Sequence, residues 1–171
     1  MAKIQERDHV DEFLEMEFLE QIPNLDLAVE GIVDRIMGIS RRFKRTLEET
    51  LSEHGLIWPD WQMLGALVRK SPRSAGKLAE IVELSSGAMT NRLDRLEESG
   101  LVRRLPDPDD RRGVLVELTA KGKRAYHAAA GEEATKEALI TSALNKREKE
   151  ELNSLLRRLM VEFERREGRR D

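Results

Sequence analysis

Between Ser74 and Thr119 the residue pattern changes its period twice, and the order of those changes restricts the fold more than any other feature of the chain. Ser74 can cap a short helix over 75–82. A tight break falls at Glu83-Leu84. Ser85 can cap a second amphipathic helix over 86–99, which Gly100 can close. Leu101–Leu105 and Gly113–Leu118 then alternate as two short strands around the rigid turn Pro106-Asp107-Pro108-Asp109-Asp110. Helix, turn, helix and hairpin in this order make a winged helix-turn-helix, a module that lays its second helix in the major groove of DNA.

The flanks read as helices. Residues 9–20 predict a short amphipathic helix with Val10, Phe13, Leu14 and Phe18 on one face, broken by Pro23-Asn24. A long helix follows from about Asp26 to Glu53. It carries Val29, Ile32, Val33, Ile36, Ile39, Phe43, Leu47 and Leu51 at helical spacing, and His54-Gly55 ends it. Trp58-Pro59-Asp60 opens the next helix, which stops before Pro72. After Thr119 an Ala-rich helix runs to about Leu144. Asn145 and Glu148 form a capping-box pair for a last helix with Leu152, Leu155, Leu156, Leu159 and Phe163 on one side. The expected fold is mainly α with a small β-hairpin: a winged helix-turn-helix over 55–119, an N-terminal arm and first dimerisation helix over 1–54, and C-terminal dimerisation helices over 120–171.

Composition supports that layout and excludes several others. Of the 171 residues 37% are charged and 4% aromatic, a charged helical surface over a thin aliphatic core that a dimer would complete. No segment approaches about 18 consecutive apolar residues, so no membrane span is expected. The start of the chain is acidic and lacks the apolar centre of a signal peptide, so the cytoplasm is the expected location. There is no Cys, which removes disulfides and thiolate metal sites. The formal net charge is −3, but Arg69–Arg112 holds ten Lys/Arg against eight Asp/Glu, a local +2. The acid excess sits in the first 30 residues, with nine carboxylates against Lys3 and Arg7. Such a chain can clamp phosphates with one face while its acidic flank limits nonspecific binding.

On the helix over 86–99, Met89, Leu93 and Leu96 share one side. With a step of about 100° per residue, Gly87, Asn91 and Arg95 fall opposite, flanked by Ala88 and Thr90. Small residues let the backbone approach base edges. Asn can pair with adenine and Arg with guanine. The N–H groups at Ser86 and Gly87 can take a phosphate. A solvated polar face is the bland alternative, and the Ser-Gly-x-x-Thr-Asn tip directly after a helix and turn favours DNA. In the hairpin, Arg111 and Arg112 sit at or just past the tip, suited to the minor groove, and Asp110 can hold a neighbouring guanidinium. The acidic turn lacks the spacing and terminal Glu of a calcium loop. The candidate DNA residues are therefore Ser74, Ser85, Ser86, Gly87, Ala88, Thr90, Asn91, Arg95, Asp110, Arg111 and Arg112.

Leu101-Val102 after Gly100, Asp110-Arg111-Arg112 and Val116-Glu117-Leu118-Thr119-Ala120-Lys121-Gly122 resemble the wing signatures of the MarR family of bacterial transcription regulators. The resemblance covers about residues 27–165. It implies a homodimer that binds a pseudo-palindromic operator in double-stranded DNA, usually as a repressor, and leaves it when a small phenolic or anionic ligand binds. The run Ser86–Leu96 and the extra helix before Pro23 are similar to the urate-responsive PecS/HucR-like branch. That branch's ligand set of Trp, Asp, Arg and Arg falls here on Phe18, Gln62, Arg69 and Arg92. With Gln in place of Asp, the resemblance implies a more anionic ligand than urate, such as a polycarboxylate or an aromatic acid. On the helical wheel Arg92 lies on the flank of the core face, from which it can point inward toward Arg69. Two facing guanidiniums need either an anionic ligand or a carboxylate from the arms between them.

No cofactor or metal is expected. His9, His54 and His127 are scattered without ligand spacing, and there is no nucleophile elbow or phosphate loop, so an enzyme is not expected. The competing function is a winged-helix dimer used for protein–protein contacts, or for DNA binding without a small-molecule ligand.

Overall fold

The computed structural model describes residues 7–108, 110 and 113–168. In chain order the elements are α1 (His9–Leu14), a 3-10 turn (Glu17–Gln21), α2 (Leu27–Glu53), α3 (Trp58–Arg69), β1 (Arg73–Ser74), α4 (Ala75–Val82), α5 (Ser86–Glu98), β2 (Val102–Pro106), β3 (Val114–Leu118), α6 (Ala120–Ile140), a second 3-10 turn (Thr141–Ala143) and α7 (Lys146–Glu167). The chain divides into two compact units, residues 1–130 and 131–171.

The helix boundaries follow the caps. Asp26 accepts the Ala28 and Val29 amides at the head of α2, and Gly55 beyond its end has φ +67°. Ser74 and Ser85 accept the Lys77 and Ala88 amides at the heads of α4 and α5. The break between those helices is made by Glu83 in the left-handed region, φ 54°, with the Leu84 N–H returning to the Ala79 carbonyl at 3.0 Å. The core of the first unit is formed by Leu51, Leu56, Met63, Leu64, Leu67, Leu78, Val82, Met89, Leu93, Leu96, Val102 and Val116, all nearly or fully buried.

The expected hairpin is β2–β3, registered Val102 opposite Leu118 through Pro106 opposite Val114. The sequence reading omitted a third strand: Arg73 and Ser74 pair with Val116 and Leu115, giving the antiparallel order β1-β3-β2. Two residues are too few to produce an alternating pattern, so the sequence carried no strand signal there.

The N-terminal arm departs from expectation. One amphipathic helix was expected over 9–20, but α1 stops at Leu14 and the chain tightens into a 3-10 turn. The backbone is extended at Met16 (ψ 124°), between α1 and the turn, so the face of α1 does not continue into it. Leu19 is buried, while Phe18 is half exposed with its ring edge-on to Phe13. Arg35 of α2 holds α1 by pairing with Asp8 at 2.9 Å and Asp11 at 2.5 Å. In the second unit, the expected end at Leu144 is a 3-10 turn after Ile140, and α7 starts on the Asn145–Glu148 capping box.

Wing and α6 approach each other closely at their junction. The Thr119 hydroxyl donates toward the Gly100 and Leu101 carbonyls, 2.8 and 3.0 Å away, and accepts the Gly122 N–H at 2.9 Å. A Cβ on Gly122 would lie 2.0 Å from the Leu101 carbonyl oxygen, so only glycine fits. Gly122→Ala is expected to destabilise the protein by at least the roughly 1–3 kcal/mol of an overpacked core. Gly131→Ala on the same helix meets nothing within 4 Å and should gain up to about 1 kcal/mol from helix propensity. Urea denaturation of the two variants checks both signs.

Candidate nucleic-acid interface

Burial of Met89, Leu93 and Leu96, each 2–4% exposed, fixes which way α5 faces. Ser86, Gly87, Ala88, Thr90, Asn91 and Arg95 are exposed, as the helical spacing predicts. A Cβ on Gly87 would meet nothing within 4 Å, so packing within the fold does not require a glycine there. Ser74 and Ser85 spend an oxygen lone pair on their caps and keep the hydroxyl proton. Thr90 instead donates to the Ser86 carbonyl at 3.0 Å, which leaves its oxygen as an acceptor.

The wing stands beside this helix. Its bend is closed by the Asp107 N–H to the Gly113 carbonyl at 3.2 Å and the Gly113 N–H to the Asp110 carbonyl at 2.8 Å. Asp110 is exposed. Arg111 and Arg112, expected at the tip, lie outside the described residues. Among the described residues there is no cluster of His, Cys, Asp and Glu able to hold a metal.

Behind α5, the Arg92 guanidinium lies 3.5 Å from Asp60 Oδ1, with its side chain only 19% exposed. Asp60 is 6% exposed and accepts the Ile57 N–H through Oδ2 at 3.1 Å, while Oδ1 has no hydrogen bond. Burial pushes the Asp60 carboxyl above the ordinary carboxylate range, against the pull of the Ile57 amide, Arg92 and Arg95.

A cavity of about 210 Å³ opens beside α3, walled by Trp58, Trp61, Gln62, Gly65, Arg69, Ile81 and Tyr126. Trp61 and Tyr126 stack with centroids 4.4 Å apart. Gly65 makes room for the Tyr126 ring, which a Cβ would approach to 3.2 Å. Both Trp and the single Tyr of the chain converge here.

The family model described as MarR family matches residues 54–113. The HTH-type transcriptional regulator PecS of Dickeya dadantii (strain 3937) is 30% identical over 140 residues, covering 80% of this chain and 84% of PecS. The chain belongs to the MarR family. Its fold is shared by the YusO protein of Bacillus subtilis, with a TM-score of 0.72 at 20% identity over 81% of this chain and 98% of that one. A mutant Escherichia coli MarR complexed with operator DNA superposes with a TM-score of 0.59 at 28% identity, covering 84% and 98%. The relatives are transcriptional regulators, not enzymes.

Of the four residues matched to the branch's ligand set in this MarR-family chain, Gln62 and Arg69 share the cavity wall, and Phe18 and Arg92 are not among the residues that line it. Arg92 meets Asp60 rather than Arg69, so its carboxylate partner comes from the first turn of α3 and not from the arms. The Trp58-Pro59-Asp60 helix start is visible in the sequence, but the pairing of Asp60 with Arg92 is not. Trp58, Trp61 and Tyr126 are not among the expected site residues, although the scarcity of aromatics singles them out.

The Asp60 carboxyl holds its proton more tightly folded than unfolded. Its stabilising effect is complete below the unfolded value and is lost as pH rises through the folded one. Asp60→Asn cannot ionise, so its melting temperature should rise relative to wild type as pH increases above about 3.8. A difference that stays flat or falls with pH would mean that the ion pair with Arg92 outweighs burial.

Proposed function

We propose that this chain is a DNA-binding repressor that works in the cytoplasm as a homodimer on a pseudo-palindromic operator and is released by a small anionic ligand. The exposed face of α5 that bears Gly87, Asn91 and Arg95, opposite the buried Met89, Leu93 and Leu96, is the observation that carries the reading. The similar Escherichia coli MarR protein complexed with operator DNA supports it. Asn91 and Arg95 read bases, Ser74 and Ser85 donate to phosphates, Ala88 and Thr90 flank the reading edge, and the Asp110-Arg111-Arg112 turn enters the minor groove.

Dimerisation through residues 1–54 and 120–171 is supported by apolar surface that each unit leaves open. Val29, Ile32, Val33, Ile36 and Ile39 of α2 are 38–53% exposed, and Leu152, Leu155, Leu156, Leu159 and Phe163 of α7 are 38–62% exposed. Covering both stripes with a second copy would set two α5 helices roughly 34 Å apart, one turn of DNA. The experiment is selection of duplexes from a random pool, followed by gel shift and light scattering of the wild type. A dimer that selects one palindrome is the expected result, with Asn91→Ala and Arg95→Ala each losing about 1–3 kcal/mol and relaxing the sequence choice. A monomer, or wild-type binding by both variants, overturns it.

The ligand reading narrows to the cavity. Among the described residues Arg69 is the one formally charged group on its wall and three aromatic rings line it, which supports a planar, singly charged acid over a polycarboxylate. Ile81 of α4 also lines the cavity, so a bound acid can bias the helix that leads into the turn before α5. The coupling is worth only the difference in affinity between the two states, typically about 1–3 kcal/mol. An aromatic monocarboxylate should raise the melting temperature and weaken the gel shift, and Arg69→Ala should lose both effects. An equal response from Arg69→Ala, or a larger one to citrate, counts against this assignment.

A further inference from the structure

We infer that Arg104, on the wing strand β2, is a positioning residue that fixes the wing to the recognition helix α5, so that hairpin and helix meet DNA as one rigid unit. The inference rests on the DNA-binding reading above. β2 is an edge strand, with β3 on one side only. On its other edge the Arg104 N–H donates to Glu97 Oε1 at 2.8 Å. The Arg104 guanidinium donates to Glu97 Oε2 at 2.9 Å, lies 2.7 Å from Asp94 Oδ1, and reaches the Thr90 carbonyl at 3.2 Å.

Thr90, Asp94 and Glu97 are spaced i, i+4, i+7, so they form one flank of α5, between its buried side and its DNA side. Nη1 of the guanidinium meets both carboxylates and Nη2 the Thr90 carbonyl, so one side chain spans two helical turns. The second nitrogen is what a lysine ammonium, a single point charge, lacks. The Arg104 side chain is 26% exposed, so solvent screens these interactions less than it would at the open surface. The neighbouring Arg103 is engaged in the other direction, with Glu117 across the hairpin. Both strand arginines are thus held within the chain, and Arg104 acts on DNA through the placement of the hairpin rather than by touching phosphate.

The test uses the full-length protein, a duplex selected by the wild type, hydroxyl-radical footprinting and affinity measured across a salt series. Arg104→Ala should keep protection under α5, lose protection under the wing, and bind about tenfold more weakly, with a salt slope lower by about 1 for each phosphate that the wing no longer neutralises. Arg104→Lys should recover only part of the wing protection, and it carries the same test where the alanine variant fails to fold. Glu97→Gln gives the deciding sign. Removing a negative charge beside DNA should tighten binding by bulk electrostatics, whereas a loosened wing weakens it and erases the flanking footprint. Wild-type footprints in all three variants, or tighter binding by Glu97→Gln, would overturn the inference while the DNA-binding reading stands. A wild type that selects no duplex overturns the DNA-binding reading itself, and the inference with it.

Discussion

Met89, Leu93 and Leu96 carry one side of α5 into the core, and whatever α5 does on its other side depends on that burial. Each such side chain contributes about 1.5–3 kcal/mol when fully removed from water. Apolar burial sets which side of the helix faces inward, and close packing resists its displacement. The flanks add directional contacts. On one flank Arg92 faces Asp60 of α3; on the other Arg104 of β2 grips Thr90, Asp94 and Glu97. These flanking contacts leave the side chain of Asn91 on the opposite, exposed face.

The same arrangement changes how the charge of the winged region is understood. Arg69–Arg112 has a formal excess of two positive charges. Arg92, Arg103 and Arg104 within it face carboxylates of the same unit. A count of basic residues therefore overstates what this surface offers to phosphate, and where each guanidinium points matters more than the sum. Asp60 illustrates the cost of such devices. It steadies Arg92 from a buried site where one of its oxygens has no hydrogen bond, and burial raises its proton affinity accordingly.

Local chemistry was legible in the sequence, and convergence was not. Ser74, Ser85 and Asn145 act as caps, Gly55 and Gly100 take positive φ, and the Glu83-Leu84 break falls where expected, because each depends on residues within a turn of itself. The exposed face of α5 followed from one period and one buried side. The Asp60–Arg92 pair, the Arg104 clasp and the aromatic cavity each join residues from different elements, and no spacing rule connects them. Phe18 departs from the expected face for a smaller reason: the backbone is extended at Met16, so the period of α1 does not carry past it.

The gathering of Trp58, Trp61 and Tyr126 at a single cavity has an optical consequence. The chain contains no other tryptophan or tyrosine. Its near-ultraviolet emission therefore originates almost entirely from the walls of that cavity, with one indole stacked 4.4 Å from the phenol ring and the other half exposed at the rim. Solvent entry, ring displacement or a guest molecule at that place changes the whole signal rather than a fraction of it. The protein carries its own fluorescent reporter for the state of its pocket, and no label has to be added.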